Sequence, residues 1–290
     1  MTDNYIKSPL NYTGGKYSIL KNIISEFPQK IHKFVDLFTG GMNVAINVDA
    51  DEIYANDQIS YLIEIYEYFR RTPIDLLKSK IIEKIAKYDL NQENTEGYNR
   101  LRNDYNDNKN PLDLFVLTCF AFNHQIRFNN SMRFNTPFGK GRSSYNASIE
   151  NNLIRFATQL QSKSYKLSTL DFRKFDFSIL ESGDVVYCDP PYLITTGSYN
   201  DGKRGFGDWK ECEDLALLNL LDELNDRGII FYLSNVFYHK GLSNDKLIEW
   251  SKKYKVIYID KKYSNCSYHF KDRDTKTVEV LITNYEVKNG

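Results

Sequence analysis

Four consecutive residues, Asp189-Pro190-Pro191-Tyr192, carry the clearest chemistry in the sequence. Two successive prolines fix φ and keep the residue before each of them out of the α conformation. The product is a stiff, extended turn that presents one carboxylate, backbone carbonyls without a helical partner, and one aromatic face. A planar amine lying on Tyr192 would donate one hydrogen to Asp189 and another to the Pro190 carbonyl. Adenine N6 and cytosine N4 are amines of that shape. The same four residues also make an ordinary strand-ending turn, so the choice falls to the rest of the chain. The preceding run Asp184-Val185-Val186-Tyr187-Cys188 reads as a buried strand. It would deliver the turn at a strand's carboxyl end, where open α/β sheets place their ligands.

Three other stretches carry groups suited to a small molecule. In Asn11-Tyr12-Thr13-Gly14-Gly15-Lys16, two glycines permit close backbone approach ahead of a helix predicted over 17–27. The stretch lacks the GxxxxGK[ST] of a phosphate loop and reads as a loop closing over a ligand, or as a plain turn. In Asp36-Leu37-Phe38-Thr39-Gly40-Gly41, a strand runs into a glycine turn and then a helix predicted over 43–48. This is not GxGxxG, so no dinucleotide phosphate cradle is implied. Asp57, ending a second strand, lies 21 residues after Asp36. That spacing suits an acid binding a ribose diol, and the same acid can cap a helix over 58–69. Asp171-Phe172 ends a strand that starts at Lys166; the pair would bind and cover a purine ring, or serve as a turn acid and a core Phe.

The segment 123–148 has a composition unlike the rest. No Asp or Glu occurs between Asp113 and Glu150, and that gap holds Arg127, Arg133, Lys140 and Arg142, with Asn129 and Asn135 among Phe residues. Arg matches guanine edges and phosphate, and Asn matches adenine edges. The segment is expected to contact nucleic acid; a solvated surface loop is the alternative. Four phosphate contacts would give a salt slope of about −3.6.

Composition frames these readings. Lys plus Arg and Asp plus Glu both number 38 in 290 residues, so any attraction to a polyanion is local. Cys119, Cys188, Cys212 and Cys266 are far apart with no CxxC pair, which argues against structural zinc and a disulfide framework and suits a reduced cytoplasm. The first nine residues are polar rather than a signal peptide, and no apolar run reaches ~18 residues. Strand–helix alternation is lost over 70–166, where amphipathic helices are expected at 75–88 and 111–122 and a polar stretch at 92–110. An α/β domain with a mainly helical insertion is therefore expected. Beyond the tetrapeptide, the glycine-rich 193–209 reads as a lid. A helix over 211–225, a strand over 228–235 and a helix over 242–254 follow. Terminal strands at 255–263 and 277–285 are expected to pair as a hairpin.

Together these pieces resemble the Dam-type DNA adenine-N6 methyltransferases, the D12 class with alpha-group motif order. The matching stretches are Asn11 to Lys16, Asp36 to Gly41, Asp57, Arg127-Phe128-Asn129, Phe134 to Gly139, Asp171-Phe172 and the Asp-Pro-Pro-Tyr turn. Gly41 departs from the family's FxGxG spacing, and Met132-Arg133 replaces a Gly-acid pair common in close Dam relatives. The resemblance implies a Rossmann-like S-adenosylmethionine-dependent fold, with 1–69 and 157–290 catalytic and 70–156 reading the target. It assigns catalysis to Asp189, Pro190 and Tyr192. It assigns S-adenosylmethionine to Asn11, Tyr12, Gly14, Gly15, Lys16, Asp36, Phe38, Gly40, Asp57, Asp171, Phe172 and Asp189. DNA contacts fall to Arg127, which would read a guanine, and to Asn129, Arg133, Asn135, Lys140 and Arg142. The implied substrate is double-stranded DNA at a short site, GATC or another containing GAT, with the adenine flipped out and methylated by direct displacement without metal. A monomer or weak dimer in the cytoplasm, with a restriction endonuclease as a genetic partner, would fit. RNA or cytosine-N4 methylation stays open, as does a silent DNA-binding regulator, which should not bind the cofactor.

Overall fold

Short runs of Val, Ile, Phe and Tyr assemble one mostly parallel sheet. The computed structural model describes residues 5–195, 209–259 and 277–286. The strands are β1 (Lys33–Asp36), β2 (Glu52–Asn56), β3 (Tyr165–Ser168), β4 (Val185–Cys188), β5 (Ile230–His239), β6 (Leu242–Ser243), β7 (Lys255–Tyr258) and β8 (Thr277–Thr283). Their order is β3-β2-β1-β4-β5-β8-β7, with β6 paired to β5. The first five are parallel, and β8 lies antiparallel between β5 and β7. The expected terminal pairing of β7 with β8 is therefore present. From β1 the chain runs outward to β3, then returns to β4 on the other side of β1. The carboxyl ends of β1 and β4 thus flank the switch point, where a crevice opens.

Both faces of the sheet are buried, which explains the unbroken apolar runs. Along β4, Val185 and Tyr187 pack into one core while Val186 and Cys188 pack into the other. The second core is covered by α7 (Glu211–Asp226) and α8 (Asp245–Ser251). The first is covered by α1 (Leu20–Ile24), α2 (Ser60–Arg71), α3 (Ile74–Lys87), α4 (Thr95–Asn108), α5 (Pro111–Phe120) and α6 (Ala147–Ser162). Every residue of α5 from Leu112 to Phe120 is buried, with Asn110 capping and Pro111 at its first position. Each fully buried Leu or Phe there contributes about 1.5–3 kcal/mol of transfer free energy. Phe34 and Ile53 of the sheet share this core with Phe115 and Phe156 of the helical layer, so the insertion has no core of its own.

Three local expectations change. The helix expected over 43–48 is one 3-10 turn, Ala45–Asn47. The Asn47 side chain exchanges hydrogen bonds with the Ile6 backbone and donates to the Asn43 carbonyl, which ties this turn to the amino-terminal segment instead of extending a helix. The polar stretch 92–110 contains α4. Asn94 caps it, and Tyr98, Leu101 and Tyr105 line its buried face. The helix expected over 242–254 begins as β6 and becomes helical only after the Asn244 cap. Most of the lid expected at 193–209, with its four glycines, lies outside the described residues, as does the far end of the strand expected over 255–263.

Candidate active site

At the switch point, Asp36 pairs in register with Tyr187, and Leu37 N donates to Tyr187 O at 2.9 Å. This register sets the loop after β1 beside the tetrapeptide after β4. Asp189 Oδ2 meets Lys16 Nζ at 2.9 Å, and Asp189 Oδ1 accepts the Tyr192 hydroxyl at 2.9 Å. Lys16 is 7% exposed and Tyr192 8%. The ammonium also donates to Gly14 O at 2.9 Å and sits 5.1 Å from the centre of the Tyr192 ring. Burial pushes the Asp189 carboxyl up, against the Lys16 charge and the hydrogen bonds from Lys16 and Tyr192. Burial, then the Asp189 and Glu279 charges, hold the Tyr192 phenol well above its ordinary range, so it stays a donor. In this arrangement the Tyr192 ring is covered rather than offered for stacking.

The two glycine loops lock together over the same spot. Gly40 has φ +45°, and a Cβ there would lie 3.1 Å from the Tyr12 ring. A Cβ on Gly41 would meet Asn43 Nδ2 at 3.0 Å. Close approach is thus required between loop and loop. Asp57 fixes the second loop from below: Oδ2 accepts Gly40 N at 2.8 Å and Oδ1 accepts Ile59 N at 2.9 Å. The Tyr66 hydroxyl donates to Gly40 O at 2.6 Å. Asp57 is not the cap of α2, whose N-cap is Ile59 without a side-chain cap; it holds the Ile59 amide just ahead of the helix and the glycine turn together.

These loops and the ends of β1 and β4 surround an open cleft of about 540 Å³, including the solvent at its mouth. Tyr12, Gly14, Gly15, Lys16, Asp36, Phe38, Gly40, Asp57, Asp189 and Pro190 all line it. Asn11 is exposed instead and donates from Nδ2 to Asn123 O at 2.9 Å. Asp36 is strongly perturbed. Burial raises its carboxyl to about 8, with the Asp189 and Asp57 charges adding and Thr39 and the Ala45 amide opposing. Oδ2 accepts Ala45 N at 3.3 Å. Oδ1 and the Thr39 hydroxyl are buried side by side, and neither reaches any other hydrogen-bond partner among the described residues. At neutral pH the raised acid keeps its proton, and a cationic ligand would favour its carboxylate form.

Asp171 and Phe172 stand apart from that lining. Both Asp171 oxygens are held by Arg173, at 2.8 Å from Nε and 2.6 Å from Nη2, which keeps the carboxyl below its usual range. Phe172 is buried 5.5 Å from Phe38 and 5.6 Å from Trp209, measured between ring centres. Trp209 is tied by its indole N–H to the buried Asp214 at 3.2 Å. Phe38 connects this aromatic corner to the cleft.

The basic segment after α5 forms a small hairpin. Phe128 and Phe134 bridge antiparallel and are buried, with Phe128 stacked 4.5 Å from Tyr61. The Asn129 side chain accepts the Ser131 and Arg133 amides, so this carbonyl, expected on a base, holds the turn. Arg133 pairs with Asp107 at 3.2 Å and Lys140 with Glu93 at 3.7 Å. Arg142 lies over Phe122, 4.8 Å from its ring centre. Asn135 is exposed. Arg127 is partly exposed and makes no side-chain hydrogen bond or ion pair among the described residues. The acid-free gap in sequence is thus partly filled in space by the helical layer.

With this geometry in view, the chain compares as follows. The D12 class N6 adenine-specific DNA methyltransferase family matches residues 12–265. The chain belongs to that family. Type II methyltransferase M.FokI of Planomicrobium okeanokoites is 48% identical over 284 residues, 98% of this chain and 44% of that one. Modification methylase StsI of Streptococcus sanguinis is 49% identical over 289 residues, 99% of this chain and 44% of the other. A DNA adenine methylase of Vibrio cholerae serotype O1 is 28% identical over 236 residues, 78% and 80% of the two chains. The chain spans under half the length of the first two relatives.

Membership of a methyltransferase family implies a methyl donor, and the cleft at the switch point is the described site that joins the motif stretches. One member of the cluster escaped sequence reasoning. Glu279 of β8 places Oε1 3.4 Å from the Tyr192 hydroxyl and 3.7 Å from Lys16 Nζ. Its signal was present: a lone acid inside Val278-Glu279-Val280-Leu281-Ile282, where central strands seldom keep a charge without a partner.

Proposed function

We propose that this chain transfers a methyl group from S-adenosylmethionine to adenine N6 in a short duplex DNA site, GATC or another containing GAT, with the adenine flipped out of the stack. The observation that carries the reading is the Asp189 carboxylate, which lines the same cleft as the buried Asp36 carboxyl. The cleft thus offers one acid to an amine and another to a cationic ligand. Family membership and the relatives' names, type II methyltransferase, modification methylase and DNA adenine methylase, support the same substrate.

S-adenosylmethionine, when bound, supplies an electrophilic methyl on a sulfonium. Asp36 would hold its amino group, Asp57 its ribose hydroxyls and Phe38 its base. Asp189 and the Pro190 carbonyl would orient the target amine, turning the nitrogen lone pair toward the methyl. Positive charge grows on that nitrogen during displacement, and the Asp189 carboxylate stabilises it. Tyr192 would stack on the base once its ring is uncovered. Arg127, with its side chain free of ion pairs among the described residues, would read a guanine. Such an enzyme works in the cytoplasm, with a restriction endonuclease as a genetic partner.

The test is tritiated methyl transfer to duplexes with and without GAT, to structured RNA, and to duplexes whose only target amine is cytosine N4. Label in adenine of GAT-containing duplexes is expected. Label confined to RNA or cytosine, or none, would remove the assignment.

A further inference from the structure

An amine that approaches Asp189 in the arrangement described meets two oxygens that each already hold a donor, and a base meets a covered ring. One oxygen accepts Tyr192, the other is paired to Lys16, and the same ammonium covers the ring on which a base would lie. Lys16 is 7% exposed, so stripping it of its carboxylate would leave a buried, uncompensated charge, a costly state. Glu279 stands within reach of the same two donors, 3.4 Å from the Tyr192 hydroxyl and 3.7 Å from Lys16 Nζ. It lies on the far side of them: Lys16 lines two clefts, Asp189 lines the first, and Tyr192 and Glu279 line the second. The ladder between β5 and β8 shifts register just past the Val236–Glu279 pair, a bulge of the kind that re-aims a side chain.

From this geometry we infer that Glu279 is a positioning residue, the second acceptor to which Lys16 and the Tyr192 hydroxyl move when the target amine takes Asp189. The inference rests on the methyltransferase reading above. Lysine's flexible stem and point charge suit such a transfer between two carboxylates. No bond to carbon is made or broken, and the ammonium and phenol keep their protons; only hydrogen-bond acceptors change. The exchange clears the carboxylate and uncovers the ring in one movement.

The experiment is single-turnover methyl transfer with wild type, Glu279→Gln and Glu279→Asp, beside calorimetric cofactor binding and melting temperature. Glu279→Gln keeps the size and one acceptor but loses the charge that draws Lys16 away. Its transfer rate should fall about 10- to 100-fold, the scale of a misplaced reacting group. Cofactor Kd and melting temperature should stay close to wild type, and Glu279→Asp should recover most of the rate. In a Lys16→Met background there is no cation to move, so the same Gln substitution should change the rate by less than about threefold, a coupling typical of groups in contact. An unchanged rate in Glu279→Gln, an equal loss in the Lys16→Met background, or a parallel loss of cofactor affinity and melting temperature would each overturn the inference. A wild type that methylates cytosine or RNA would fail the adenine reading alone; the Glu279→Gln effect is then read on that amine, because the exchange does not depend on the ring.

Discussion

The cleft at the strand ends and the hairpin after α5 are both loops pinned by groups distant in sequence, yet they differ in what they present. The cleft loops are fixed by groups distant in sequence: Asp57 on the Gly40 amide, Tyr66 on the Gly40 carbonyl, Lys16 on Asp189. The hairpin is closed by its own Asn129 and tied to the helical layer, where Phe128 and Phe134 pack. There the Asn106 side chain exchanges two hydrogen bonds with the Phe134 backbone, and the Tyr98 hydroxyl donates to Thr136 O. Asn129, Arg133, Asn135, Lys140 and Arg142 are exposed, while Thr136 is buried. The first arrangement preserves chemistry and tolerates little change. The second sets exposed side chains on a constant frame, an arrangement suited to recognition. Substitutions in the cleft should therefore act on transfer or cofactor, and substitutions on the hairpin on the choice and affinity of DNA.

The largest break in that division should come from Asp189→Ala. Methyl transfer should fall at least ~10²-fold, the scale of deleting one aligned polar group. Cofactor affinity measured by calorimetry should hold within a few-fold; full transfer in the variant would remove the tetrapeptide from catalysis. Arg127→Ala tests the other region. It should erode discrimination between cognate and single-mismatch duplexes by about 1–3 kcal/mol, roughly 5- to 150-fold, while cofactor Kd stays unchanged. If discrimination survives, base reading belongs to other residues of the hairpin.

Asp36 sharpens the cleft side through pH. Its carboxyl rises from 3.8 to about 8 in the folded protein. Between those values the folded state keeps a proton that the unfolded state releases. Its contribution to stability is therefore full below pH ~4 and lost as pH climbs through 8. Without ligand, Asp36→Asn should melt above wild type at pH 8 and lose that advantage by pH 4. A cationic ligand favours the carboxylate, so cofactor binding at pH 7 should release a proton. The binding enthalpy would then vary with the buffer's ionisation enthalpy, and a buffer-independent enthalpy would place the ligand's charge elsewhere.

How much of this was legible follows the same division. The strands and the residues at their ends could be read because each is local: β4 is a continuous apolar run, and the Asp-Pro-Pro-Tyr turn is stiff in any context. What was missed depends on partners far away in sequence. Helix α4 looked polar because Asn, Asp and Arg crowd its solvent face, and only Tyr98, Leu101 and Tyr105 mark the buried stripe. The turn after Gly41 failed to become a helix because Asn43 and Asn47 bind the Ser8 and Ile6 backbone, 35 and 41 residues away. Glu279 reaches Lys16 only because β8 inserts beside β5.

The smallest expected effect bears on the hairpin's charge. Counted in sequence, Arg127, Arg133, Lys140 and Arg142 form an acid-free cluster and give a salt slope of about −3.6. In the fold, α4 and the loop before it bring Asp107 to Arg133 and Glu93 to Lys140. A cation already paired with a carboxylate displaces fewer counterions when it meets a phosphate, because part of its charge is neutralised beforehand. These pairs are exposed and worth at most about 1 kcal/mol each, so DNA can compete for them, but at a reduced gain. The segment's slope should then lie nearer −1.8, the value for two unpaired cations. Asp107→Asn with Glu93→Gln should steepen it toward −3.6 and tighten DNA binding at low salt, with sequence discrimination unmoved. Titrating fluorescent duplexes from 50 to 200 mM salt measures this directly. A slope that stays the same after both acids are neutralised would mean that Arg133 and Lys140 do not contact the DNA backbone, leaving Arg127 and Arg142 as the hairpin's DNA contacts.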